Sequence, residues 1–130
     1  MIMKQLKLKS FMLGMMLLVT ASASAYDFTV DGKYYNIVDL QGLTCEITYG
    51  DEKYTDDIVI PEYVEYDGNT LTVVSVGDSA FAGCDYLASV VIPNSVTVIG
   101  IRAFNGASLT SIEIPNSVTE IGMLAFEGCI

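Results

Sequence analysis

Three cysteines, Cys45, Cys84 and Cys129, and 16 acidic residues are the groups in this 130-residue chain that could do chemistry. There is no histidine, so Ser-His and Cys-His nucleophile pairs, which need an imidazole base, are excluded. A Cys-x-x-Cys pair is absent as well, which leaves no zinc motif. Asp51, Glu52, Asp56 and Asp57 cluster within a short stretch. Calcium takes such oxygen ligands, but the regular spacing of a calcium loop is missing, and a solvated turn is expected there. No glycine-rich phosphate loop of the required spacing occurs, and carboxylates alone are no signature of glycoside hydrolysis. The chain is therefore expected not to be an enzyme and to carry no catalytic, cofactor-binding or metal-ligating residue.

The elements that position any surface groups begin after residue 25. Lys4, Lys7 and Lys9 precede the apolar run Phe11–Thr20, and Ala23-Ser24-Ala25 ends in a small-x-small pattern. This is the layout of a cleavable secretory signal peptide over residues 1–25, with an apolar run too short for a spanning helix. The mature chain is expected to begin at Tyr26, with no membrane association once the signal is removed. It then holds all 16 acids against Lys33, Lys53 and Arg102, a formal charge of −13. Such a charge disfavours nucleic acid and anionic membranes as partners and favours solubility outside the cell.

The hexapeptide Ile-Pro-Asn-Ser-Val-Thr occurs at 92–97 and again at 114–119, inside longer segments that match. Phe81 and Phe104 are 23 residues apart, and Phe104 and Phe126 are 22 apart. A period in the low twenties belongs to stacked repeat coils. Leu87, Val90 and Ile92, matched by Leu109, Ile112 and Ile114, are expected to point inward from a strand. Pro93 and Pro115 end that strand, because proline cannot donate to a ladder. Val96 and Val118 start a second short strand that reaches Ile99 and Ile121. Gly77, Gly100 and Gly122 are expected to permit a sharp corner. The Ala-Phe pairs at 80–81, 103–104 and 125–126 read as a short helical turn with Phe inward, closed by Gly83, Gly106 and Gly128. Cys84 and Cys129 occupy one position two coils apart. At about 10 Å, twice the strand spacing, they are too far apart to form a disulfide.

The recurring pattern L-x-x-I-x-I-P-x-S-V-x-x-I-G-x-x-A-F-x-G-C resembles that of BspA-like leucine-rich repeats, common in bacterial surface proteins. The resemblance runs from Ile58 to Ile130. It implies a curved solenoid with parallel strands, secretion or surface display, and adhesion to host proteins. It carries over no catalytic or ligand-binding residue.

Residues 26–75 lack the period. Asp31-Gly32 and Asp67-Gly68 read as hairpin turns. Leu43, Cys45, Ile47 and Tyr49 alternate with polar residues and are placed on one face of a strand. Ile58-Val59-Ile60-Pro61 already resembles a repeat strand end. The expected fold is a β-rich solenoid of leucine-rich-repeat coils of 22–23 residues with short helical turns. A β-hairpin-rich N-terminal cap and irregular first coil over 26–75 precede it. Residues 76–130 supply two complete coils and the start of a third, so the chain is expected to be an incomplete array.

Outward strand residues are the ones free to meet a partner. Ser89, Val91, Ser111 and Glu113 on the first strand position, with Val98 and Glu120 on the second, are the candidate partner-binding residues. The expected function is an extracellular or cell-surface binding or adhesion module. Its partner would be an extracellular protein, such as a host matrix or surface protein. The competing expectation is a structural N-terminal portion of a longer surface array with no ligand of its own.

Overall fold

The computed structural model describes residues 25–129 as nine strands, with no helix among them. The signal peptide expected over residues 1–25 lies, but for Ala25, outside these residues. In chain order the strands are β1 (Phe28–Val30), β2 (Lys33–Asp39), β3 (Thr44–Thr48), β4 (Asp56–Val59) and β5 (Tyr63–Tyr66). They are followed by β6 (Asn69–Val76), β7 (Leu87–Val91), β8 (Val98–Ile99) and β9 (Glu120–Ile121).

Local sequence sets the two hairpins. Asp31 and Gly32, at φ 50° and 75°, join β1 to β2, and Asp67 and Gly68, at 53° and 78°, join β5 to β6. Two positive φ values in succession make the type I′ geometry that matches strand twist, which is why Asp-Gly sits there. β2 and β3 form a third antiparallel pair across the short connection from Asp39 to Thr44, and the pairings beyond it are long-range. β2 is antiparallel to β3, and β3, β6, β8 and β9 then run parallel to one another. A second, two-stranded parallel ladder joins β4 to β7. The coils holding β4 with β6 and β7 with β8 thus contribute to both ladders, while the coil ending in β9 contributes to the larger sheet alone.

The arc corrects one expectation. No helical turn forms over residues 79–83, 101–105 or 123–127. Instead the Ala80 N–H donates to Gly77 O at 3.1 Å and the Cys84 N–H to Phe81 O at 3.3 Å. Ser79 and Gly83, the third residues of these two turns, have φ of 60° and 67°, as a type II turn requires. Arg102 with Gly106, and Leu124 with Gly128, repeat the pattern. The physical reason lies in the neighbouring coil. The Phe81 N–H donates to Ala103 O and the Phe104 N–H to Ala125 O, both at 2.7 Å, and the Gly83 and Gly106 N–H groups donate likewise at 2.8 Å. A helix would consume those donors internally.

The corner glycines also have a different reason. None of Gly77, Gly100 and Gly122 has positive φ; what they lack is room. A Cβ on Gly122 would sit 2.6 Å from the Gly100 carbonyl carbon, and one on Gly100 would sit 2.7 Å from the Asp78 backbone N. Successive coils touch backbone to backbone here, the close approach only glycine allows.

Core packing follows the period. Leu87, Val90, Ile92, Val96, Ile99 and Leu109 are buried, and Phe81 and Phe104 are wholly so. Ile112, Ile114 and Val118 pack against them, partly buried. Residues 109–114 form no strand, however, although the sequence pattern repeats that of β7. Tyr49 departs from the face expected of it: β3 ends at Thr48, and Tyr49 is exposed while Cys45 and Ile47 are buried. All three cysteines are free thiols, as the stacking of Cys84 and Cys129 two coils apart requires.

Candidate partner-binding face

β4 and β7 pair in a register that builds one outer surface. Ile58 and Val90 are paired, as are Asp57 with Ser89 and Val59 with Val91. Val90 turns into the core, so its neighbours Ser89 and Val91 turn outward by the two-residue strand period. The Ser89 hydroxyl donates to the Asp57 carboxylate at 2.7 Å. Val59 and Val91 stand side by side, 60% and 54% exposed. Ser111 and Glu113 continue the two rows in the next coil and are both exposed.

Two hollows flank the Val59–Val91 pair. One is a cleft of ≈ 390 Å³ between Val90–Ile92 and Glu113–Pro115, with Asn94 and Asn116 at its end. It lies where residues 109–114 fail to pair with β7; among the described residues no backbone hydrogen bond links the two segments from Leu109 to Ile114. The other is a cavity of ≈ 360 Å³ between the β1–β2 hairpin, Val59 and Pro61, and β5. Exposed Tyr63 stands at its rim. An apolar track therefore runs from Tyr63 over Val59 and Val91 to Ile114.

The six residues singled out from sequence do not share this face. Ser89, Val91, Ser111 and Glu113 belong to it. Val98 and Glu120 pair with each other on β8 and β9, in the other sheet, where they line a separate hollow of ≈ 630 Å³ with Ile121 and Met123. Sequence reasoning missed Asp57, Val59 and Tyr63. The signal for Val59 was present, since Val59-Ile60-Pro61 repeats Val91-Ile92-Pro93 one coil earlier.

The chemistry-bearing groups are otherwise engaged. Asp51 accepts from the Tyr26 hydroxyl at 2.9 Å, and Asp56 accepts from the Thr55 hydroxyl. No group of three His, Cys, Asp or Glu side chains among the described residues could hold a metal ion. Burial pushes the Cys45 thiol up to about 12 and raises that of Cys84. Both are thus held as neutral thiols, the opposite of what a nucleophile needs.

Comparison with known proteins matches this geometry. Residues 67–130 match the family described as the BspA type leucine rich repeat region, in six copies. A leucine-rich repeat protein from Bacteroides ovatus has a similar structure, with a TM-score of 0.68 and 33% identity, over 80% of this chain and 33% of its own. A leucine rich cell surface protein from Faecalibacterium prausnitzii is similar with a TM-score of 0.64 and 26% identity, over 82% of this chain and 28% of its own. A third, a leucine-rich repeat protein from Bacteroides capillosus, gives 0.62 and 25%, over 81% of this chain and 75% of its own. The chain thus spans about a third or less of the first two. The search of curated proteins returned no match. With its parallel coils, corner glycines and phenylalanine column, the chain belongs, over residues 67–130, to the BspA-type leucine-rich repeat family.

Proposed function

We propose that this chain is a secreted or cell-surface binding module, non-catalytic, whose coils form a solenoid capped by residues 26–75. Its partner is an extracellular protein, with host matrix and surface proteins the class to try first. One observation carries the reading: Val59 and Val91 lie side by side and exposed on an otherwise polar strand face, with a hollow at each end of the pair. Two exposed valines in register, continued by Tyr63, make a contiguous apolar surface rather than scattered residues, and such surfaces mark interaction sites. The description of one structural neighbour as a cell surface protein supports the location.

The mature chain should capture at least one member of a panel of purified extracellular matrix proteins in a binding assay. Val59→Lys with Val91→Lys should abolish capture while leaving the circular dichroism spectrum unchanged. Capture that is indifferent to this pair, but lost with Val98→Lys and Glu120→Lys, would move the site to the β8–β9 face. Failure to capture any member would favour the structural reading, in which the exposed Ile121 and Met123 serve coil stacking.

A further inference from the structure

Between Ser108 and Thr119 the chain stands off from the coil before it. At one end the Ser108 N–H donates to Cys84 O at 3.2 Å and its hydroxyl to Asp85 O at 2.7 Å. At the other the Thr119 N–H donates to Thr97 O at 2.8 Å. From Leu109 to Ile114 no backbone bond crosses to β7. The gap shows again at Ser117. Its counterpart one coil earlier, Ser95, donates to Val73 O at 2.7 Å, whereas the Ser117 hydroxyl is buried without a partner. The ≈ 390 Å³ cleft is thus a slot pinned at both ends by the stack.

We propose that this slot anchors one cationic side chain, an arginine or lysine, carried by an extended segment of the protein partner. The inference rests on the protein-binding reading given above and adds the chemistry of the anchor.

Charge argues first. Glu113, Asn94 and Asn116 line the slot, and all three are exposed. None of their side chains has a hydrogen-bond partner among the described residues. Asp57, Asp78 and Glu127, by contrast, accept from the Ser89 hydroxyl, the Ile101 N–H and the Asn105 carboxamide. No base balances Glu113. Of the three bases after residue 25, Lys33 lines the other hollow, Lys53 Nζ donates to Ala82 O at 2.8 Å, and Arg102 lies in the arc. One carboxylate and two carboxamide oxygens on the same slot make an acceptor set that a cation satisfies. An anion would meet Glu113 as a like charge.

Shape agrees. Val91, Ile92, Ile114 and Pro115 give the slot apolar walls. Lysine and arginine lay their methylene stems along such surface while the charged head stays with polar groups. The volume lies at the lower end of the range for ligand pockets, about 300–1,000 Å³, which suits one side chain. Val91 belongs both to the slot and to the Val59–Val91 track. In an extended chain, side chains two residues apart share a face at about 7 Å. An apolar residue two positions from the cation would therefore rest on the valines.

The test titrates the isotope-labelled mature chain with the peptide Ac-Val-Thr-Arg-Thr-amide. Saturable shift changes are expected at Val91, Asn94, Glu113 and Asn116. A lysine version should bind there too, and either order of the two cations supports the proposal. Norleucine, which keeps the stem and drops the charge, should bind about tenfold more weakly, and glutamate more weakly still. Glu113→Gln alters an exposed side chain, so the fold should persist. It should weaken the arginine peptide about three- to tenfold and leave the norleucine peptide unchanged. Glu120→Gln removes the same charge from the β8–β9 face and should leave both peptides unchanged. No shift at these residues, equal binding of norleucine and arginine, tighter binding of glutamate, or an equal loss in Glu120→Gln would each overturn the proposal. Matrix-protein capture measured in parallel separates the two ideas. Capture with no peptide binding defeats the cation anchor alone. Peptide binding without capture leaves the anchor and defeats the matrix-protein reading.

Discussion

Phe81 and Phe104 lie face to face, their ring centroids 5.0 Å apart and their planes 2° from parallel. Phe104 repeats the relation with Phe126 at 5.1 Å and 4°, and Tyr54 continues the column on the other side of Phe81 at 4.8 Å. Phe104 is thus packed on both faces by rings of neighbouring coils. Phe104→Ala should cost about 3–5 kcal/mol, the range for truncating a fully buried phenylalanine. Phe126→Ala should cost clearly less, because Phe126 is only partly buried. Urea unfolding of the two variants checks the order, and equal losses would show that the column does not carry the core.

Arg102 offers the reverse kind of change. It sits at φ 56° with its side chain exposed, in the left-handed region where a non-glycine residue carries about 1–2 kcal/mol of strain. Arg102→Gly relieves that strain and loses part of the gain to the greater freedom of the unfolded chain. The expected result is a midpoint unchanged or raised by up to about 1 kcal/mol. Arg102→Val, β-branched at a positive φ, should lower stability by more than 1 kcal/mol. A helical arc would give the opposite ranking, since glycine weakens helices.

How much of this was legible beforehand varies by element. The phenylalanine column was, because a spacing of 23 and then 22 residues can mean only stacking at one position per coil. Both Asp-Gly hairpins were as well, since their geometry is set by two adjacent residues. The arc was not. Ala80-Phe81 followed by Gly83 looks locally helical, and only the carbonyls of Ala103 and Asn105 a coil later divert the N–H groups. Val98 and Glu120 were grouped with Ser89 and Glu113 because all point outward. Outwardness is a one-dimensional property, while the two ladders that separate them are set by the closure of each coil. The cavity between the β1–β2 hairpin and β5 draws on residues near 30, 35, 60 and 64, and no local pattern announces it.

Alkali should unfold this protein by a definable route. The Cys45 thiol is raised from its ordinary 9.0 to about 12, chiefly by burial, and burial also raises the phenols of Tyr35 and Tyr54. Each is an acid favoured in its neutral form by the fold. Its contribution is therefore complete below the unfolded value and is lost as pH rises through the folded one. Stability should be flat with respect to these groups up to about pH 9 and fall steadily from there towards pH 12. Cys45→Ala should flatten the first part of that fall. In native protein at pH 8 a thiol reagent should reach Cys129, which is only partly buried, well before Cys45 or Cys84. Equal labelling rates would show that the core opens more easily than its burial indicates.

The least stable part of the molecule should be the coil after β9. Ile121 and Met123 are 52% and 70% exposed, and β9 pairs with β8 alone in two residues. β6, in contrast, is bonded along its length by β3, β5 and β8. Opening free energy follows the number of buried apolar contacts and protected backbone bonds. Amide exchange should accordingly be slowest at Val73 and Val76 and fastest across residues 121–129. A further coil copying residues 109–130, added after Ile130 with polar residues on its outer face, would cover Ile121 and give Phe126 a second ring. That addition should slow exchange at Phe126 and raise the unfolding midpoint, because each coil is stabilised mainly by its neighbours. If exchange across 121–129 is already as slow as in β6, or the added coil leaves the midpoint unchanged, the coil-by-coil account of stability fails.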